Sequence, residues 1–129
     1  MVIDTSAIVA IILKEPSKSQ LLARIVAAPS REISMASYIE AASVLGPRGV
    51  AAEQLDAFLQ SLSITLVPVD EAQGRAAIRA RVAYGKGTGH PAQLNFGDTF
   101  TYALAKVRGT PLLFVGDDFP HTDLVSALA

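Results

Sequence analysis

The chain has no cysteine. Disulfides and thiolate metal sites are therefore excluded, and the composition suits a reducing compartment. It also lacks a basic segment at its N-terminus, and its longest apolar run, Ala7 to Leu13, falls far short of the roughly 20 residues that span a bilayer. A soluble, cytoplasmic protein with no membrane association is expected. Histidine is nearly absent: His90 and His121 stand alone, neither with a second histidine at metal-binding spacing, and both are expected to be surface or loop residues rather than ligands. No Ser/Gly-rich linker, internal repeat or low-complexity tract divides the sequence. The net charge of −1 favours no class of partner as a total, because a nucleic-acid binder needs its positive charge gathered on one face. What remains is a chain of 129 residues, half of them apolar. That is enough for one domain with a real core, expected to cover residues 1–129.

The stretch that organises the rest is Met1-Val2-Ile3-Asp4-Thr5-Ser6-Ala7. Val2 and Ile3 suit a buried strand, while Thr5 and Ser6 open helices. Asp4 then stands at the carboxyl end of a strand, where open α/β sheets bind their ligands. The apolar run Ala7–Leu13 fits either a buried strand or a buried helix, and the Asp-Thr-Ser opening favours the helix. Ser17 with Gln20 reads as a capping box for a second helix carrying Leu21, Leu22, Ile25 and Val26 on its core face. Glu32–Met35 reads as a strand, Ser37–Leu45 as a helix stopped by Gly46-Pro47, and Ala51–Leu62 as another helix. Ile64–Val69 is a β-branched strand, and Glu71–Tyr84 an alanine-rich helix with Arg75 and Arg79 on one solvated face. A glycine-rich loop, 85–91, precedes a helix in which Phe100, Ala103, Leu104 and Val107 form one stripe. Leu112–Val115 is an apolar strand, and a short helix or coil ends the chain near Leu124–Leu128. Strands alternating with helices imply a parallel sheet covered on both faces.

In such a sheet the carboxyl ends of strands and the amino ends of helices share one rim. Asp4, Glu40, Asp98, and Asp117 with Asp118 all fall at such positions. Two carboxylates about 4 Å apart repel by ~4 kcal/mol near a protein surface, so four of them call for a cation. Oxygen ligands without cysteine or paired histidine favour Mg²⁺, with Mn²⁺ as an alternative. Such a site activates water against a phosphodiester. Each acid also has a purely structural reading. Asp4 is a plausible helix cap, Ser37-x-x-Glu40 a capping box, Asp98 a partner of a helix dipole with Asn95 as cap, and Asp117-Asp118 a turn. All four at once are better explained by a shared site. Tyr102, near Asp98, either packs or helps position water or phosphate. The loop Gly85-Lys86-Gly87-Thr88-Gly89 lacks the full phosphate-loop pattern, which excludes nucleotide binding on that basis.

Taken together, Val2-Ile3-Asp4-Thr5-Ser6-Ala7, Glu40, Leu94-Asn95-Phe96-Gly97-Asp98-Thr99-Phe100 with Tyr102-Ala103-Leu104-Ala105, and Leu112-Leu113-Phe114-Val115-Gly116-Asp117-Asp118-Phe119 resemble a PIN-domain ribonuclease, specifically a VapC-type toxin. The resemblance covers essentially the whole chain. It implies a three-layer α/β/α domain with a short central parallel sheet, a Mg²⁺-dependent endoribonuclease, a homodimer, and a cognate VapB-type antitoxin. By position it makes Asp4, Glu40 and Asp98 metal-site acids, with Asp117 preferred as the fourth and Asp118 as the alternative. Thr5, Ser6, Asn95 and Thr99 are candidate substrate-positioning residues. Two other classes compete. A catalytically silent RNA- or protein-binding module would be expected to have lost an acid, and none is missing. A dehalogenase-like phosphatase would carry a second aspartate where Ser6 stands.

Overall fold

The structure is a computed structural model that describes residues 1–129. Strand β1 (Val2–Ile3) leads through Asp4 into helix α1 (Thr5–Ile12), followed by α2 (Lys18–Ala27), β2 (Glu32–Ser34), α3 (Met35–Leu45) and α4 (Ala52–Ser61). Strand β3 (Thr65–Val67), helices α5 (Glu71–Tyr84) and α6 (Phe96–Arg108), and β4 (Leu112–Leu113) complete the order. The four strands form one parallel sheet in the order β3-β2-β1-β4, so β1 lies in the middle, between the second strand and the last. This is the expected three-layer α/β/α architecture with a short central sheet.

Each strand has only two or three residues, yet the alternation of side chains across a strand still separates two cores. Ile3 and Leu113 point to one face, where Ile8, Ile11, Leu21, Ile25, Leu45 and Leu55 from α1–α4 cover the sheet. Val2 and Leu112 point to the other, against Ala80 of α5 and Tyr102, Leu104 and Ala105 of α6. The small residues Ala76 and Ala80 let α5 lie close against α6. No helix is long and apolar enough to cross a membrane.

The structure departs from the sequence expectations at several places. Ser17 makes no side-chain capping bond, and Val26 is 61% exposed rather than part of the core face. In α2 only Leu21 and Ile25 are fully buried, and Val26 has turned past the edge of their stripe. Helix α3 begins at Met35 rather than at Ser37, directly after β2, and its cap is Ser34, whose hydroxyl accepts the Ala36 N–H at 3.2 Å. Val107 is exposed, while Tyr102 and Ala105 join the buried face of α6. The tail is neither helix nor free coil. Leu112 N–H donates to Val125 O, and Ala127 N–H to Leu112 O, so the tail pairs along the open edge of β4.

Candidate active site

Asp4 is the residue between β1 and α1, in extended backbone, and only 5% exposed. Its N–H donates to Leu113 O at 2.9 Å, which ties it to the last strand. One carboxylate oxygen, Oδ2, accepts the Ser6 N–H at 3.0 Å, and the other, Oδ1, accepts the Thr101 hydroxyl of α6 at 2.7 Å. Asp4 is thus both the cap of α1 and an acid held at the sheet rim. The neighbouring hydroxyls pull adjoining elements in. Thr5 Oγ1 donates to Ser37 O of α3 at 3.0 Å, and Ser6 Oγ accepts the N–H of Val115, just after β4, at 2.9 Å.

Asp98 sits in the first turn of α6. Asn95 Oδ1 accepts the Asp98 N–H at 2.9 Å, and Asp98 Oδ2 accepts the Asn95 N–H at 3.0 Å, a reciprocal capping box. An acid so placed should be easily ionised. Instead its pKa is raised from 3.8 to about 6. Burial is the largest cause. The Asn95 N–H pulls the other way, and the negative charges of Asp4, Asp118 and Glu40 push it further up. Glu40, half-buried on α3, reaches across to α6, where a side chain at Gly97 would collide with Glu40 Oε2. Gly97 is the slot through which Glu40 comes alongside Asp98.

The family model for the PIN domain matches residues 1–124. The chain belongs to the PIN-domain family. Ribonuclease VapC42 of Mycobacterium tuberculosis is 43% identical over 126 residues, covering 96% of each chain. Ribonuclease VapC of Mycolicibacterium smegmatis is 48% identical over 128 residues, covering 98% of each. Among solved structures, the crystal structure of Mycobacterium tuberculosis VapC20, described as a sarcin–ricin loop cleaving toxin, superposes with a TM-score of 0.75 at 17% identity. It covers 96% of this chain and 95% of that one. A toxin–antitoxin complex from Klebsiella pneumoniae gives 0.72 at 16% identity, covering 98% and 96%. At such identities these two likenesses speak for the PIN fold alone.

In this PIN domain the expected acids fall into two groups. The charges of Asp4, Glu40 and Asp118 act on Asp98, whereas Asp117 is not among them. Both Asp117 and Asp118 are exposed, in the turn after β4. The four acids offer only oxygen donors, the set that suits Mg²⁺ or Mn²⁺. Their mutual repulsion at Asp98 is what a cation relieves. They do not form a ready-made cage, since no three converge at once as a metal-binding group.

Of the lesser candidates, Thr5 is buried with its proton spent on α3, and Asn95 caps α6. Thr99 is buried and donates back to Phe96 O at 2.6 Å. Ser6 keeps its own hydroxyl proton while accepting from Val115. Tyr102 is packed, its hydroxyl on Asp123 at 2.6 Å. His90 accepts the Ala92 N–H at Nδ1 and packs against Tyr84. The capping-box reading of Glu40 fails, because Ser37 lies inside α3 with its hydroxyl 2.8 Å from Thr101 Oγ1. Sequence reasoning passes over the Thr101 hydroxyl and reads that of Ser37 only as a helix cap. Thr101 is three residues along from Asp98 on a helix face otherwise read as packing, and nothing local marks a bond to Asp4, 97 positions away.

Proposed function

We propose that this PIN domain, residues 1–129, is a metal-dependent endoribonuclease that acts in the cytoplasm as the toxin of a toxin–antitoxin pair. The observation that carries this reading is Asp98. Burial raises its proton affinity, and three other carboxylates, drawn from the beginning, middle and end of the chain, raise it further. The naming of the relatives as VapC ribonucleases supports the same activity. Asp4, Asp98, Glu40 and Asp118 are the residues to hold Mg²⁺ or Mn²⁺, with Asp117 as the alternative fourth acid. Asp118 is preferred because its charge is the one felt at Asp98.

When bound, the cation supplies polarisation of a phosphoryl oxygen and a more acidic water. The chain's own residues do the rest. Asp4 is oriented by two donors, one on each oxygen. Asp98 is anchored by the Asn95 N–H. Glu40 is bound by no hydrogen bond from α3's own cap, which leaves its carboxylate to take a proton from an attacking water. In the hydrolysis, water oxygen bonds to phosphorus and the P–O bond to the leaving sugar breaks. The partners are then RNA, a second copy of the chain, and a VapB-type antitoxin. Ile78, Val82 and Phe96, all well exposed and lining one groove between α5 and α6, supply apolar surface suited to such association.

The test is cleavage of an RNA panel in Mg²⁺, in Mn²⁺ and in EDTA. Cleavage in either metal and its loss in EDTA are expected. Equal cleavage in EDTA refutes the metal dependence. A folded, metal-binding protein that cuts no RNA leaves the silent binding module standing.

A further inference from the structure

The Thr101 hydroxyl is 2.7 Å from Asp4 Oδ1 and 2.8 Å from Ser37 Oγ. Thr101 is 1% exposed and Ser37 2%, so water competes for neither bond. Proton counting sets their direction. A hydroxyl carries one proton, and an ionised carboxylate carries none. Asp4 therefore accepts from Thr101, which spends its only proton there. Thr101 in turn accepts from Ser37. The chain of donors runs from α3 through α6 to the end of β1, and its positive end meets Asp4.

A threonine or serine inside a helix has a simpler option, which is to donate back to a carbonyl of its own preceding turn. Two neighbours on the same helices take it: Thr99 donates to Phe96 O, and Ser43 to Ile39 O. Thr101 and Ser37 do not. Their bonds cross between elements instead, and they end on the most buried acid of the rim. Asp4 is left with one internal donor on each oxygen, which fixes the plane of its carboxylate while lone pairs on both oxygens stay free.

We propose that Thr101, with Ser37 behind it, is a positioning residue that orients Asp4 toward a divalent cation. This rests on the metal-site reading given under the proposed function. Neither hydroxyl touches the cation, and both act through Asp4. Partners at this remove typically change metal affinity by about 10–100-fold when lost.

The experiment is calorimetric titration of Mn²⁺ into metal-stripped protein, comparing the wild type with Thr101→Val, Thr101→Ser and Ser37→Ala. Urea unfolding is recorded for each. Thr101→Val keeps the shape and removes the donor, and it is expected to bind Mn²⁺ about 10–100-fold more weakly. Thr101→Ser restores the donor and is expected to restore affinity. Ser37→Ala is expected to weaken binding by less than Thr101→Val. A Thr101 that merely fills the core gives a less stable Thr101→Val protein with wild-type Mn²⁺ affinity, and that result overturns the proposal. Should Thr101→Val fail to fold, wild-type affinity in Ser37→Ala overturns it. A wild type that takes up no Mn²⁺ overturns the metal site itself and this role with it.

Discussion

Replacing Asp98 with asparagine should make the metal-free protein more stable at neutral pH and no more stable at acidic pH. Asp98 has a folded-state pKa of about 6 against an ordinary 3.8. Its folded value lies above its unfolded one, so folding takes up a proton between roughly pH 4 and 6. The stability conferred by that proton is full below the unfolded pKa. It is lost as pH rises through the folded pKa. Two units at ~1.4 kcal/mol each set a ceiling of about 3 kcal/mol. Asp98 is partly open to solvent, and screening reduces this to about 1–2 kcal/mol. In Asp98→Asn the new amide still accepts the Asn95 N–H through its carbonyl oxygen, so the capping box survives. Urea unfolding in EDTA, from pH 4 to 8, is the assay. The two proteins should coincide near pH 4, and Asp98→Asn should lead by about 1–2 kcal/mol above a pH of about 6.5. For a chain of this length that is roughly 4–7 °C in melting temperature. Added Mn²⁺ should stabilise the wild type and not the variant. Stability curves that run parallel across the whole pH range would refute the raised proton affinity that burial and the neighbouring acids give Asp98.

Three further outcomes separate the roles of the remaining acids. Glu40→Gln should lower RNA cleavage by ~100-fold or more while leaving metal-free stability unchanged or higher, and wild-type cleavage rates would remove Glu40 from the site. Asp118→Asn should reduce Mn²⁺ affinity and cleavage more than Asp117→Asn does, measured side by side; the reverse order would restore Asp117 as the fourth acid. Gly97→Ala should cost little stability, since alanine favours a helix by up to ~1 kcal/mol. Its new methyl group displaces the Glu40 carboxylate, a misplacement worth up to ~100-fold in rate, so a fully active Gly97→Ala protein would show that Glu40 need not lie in that slot.

Much of this layout is legible in the sequence. Val2-Ile3 followed by Asp-Thr-Ser marks a strand running into a capped helix, and that local signal places Asp4 correctly at the rim. Strand–helix alternation implies the parallel sheet, and the sheet implies that distant acids share an edge. The errors come where two local signals are equivalent. Ser34 and Ser37 are both good caps, and Ser34 prevails because β2 passes into α3 with no intervening loop. That one shift turns Glu40 from a capping-box partner into a residue free to face α6. The tail is illegible because its pairing depends on the open edge of β4 and on no pattern of its own. The preference for Asp117 rests on nearness to the strand end along the chain, whereas the charge felt at Asp98 depends on how the turn after β4 folds back.

The place of β1 in the sheet has a consequence for the timing of synthesis. The Asp4 N–H bonds to Leu113 O and its neighbour Ser6 receives the Val115 N–H, and in each pair 109 positions of chain separate the partners. At roughly 5–20 residues per second, synthesis separates these partners by several seconds or longer. A nascent chain therefore carries three of its acids without the strand that fixes the first of them. The rim is completed late, when β4 pairs beside β1 and brings Asp118 with it. A chain that stalls before residue 112 lacks both the strand that ties Asp4 down and the turn that carries Asp118.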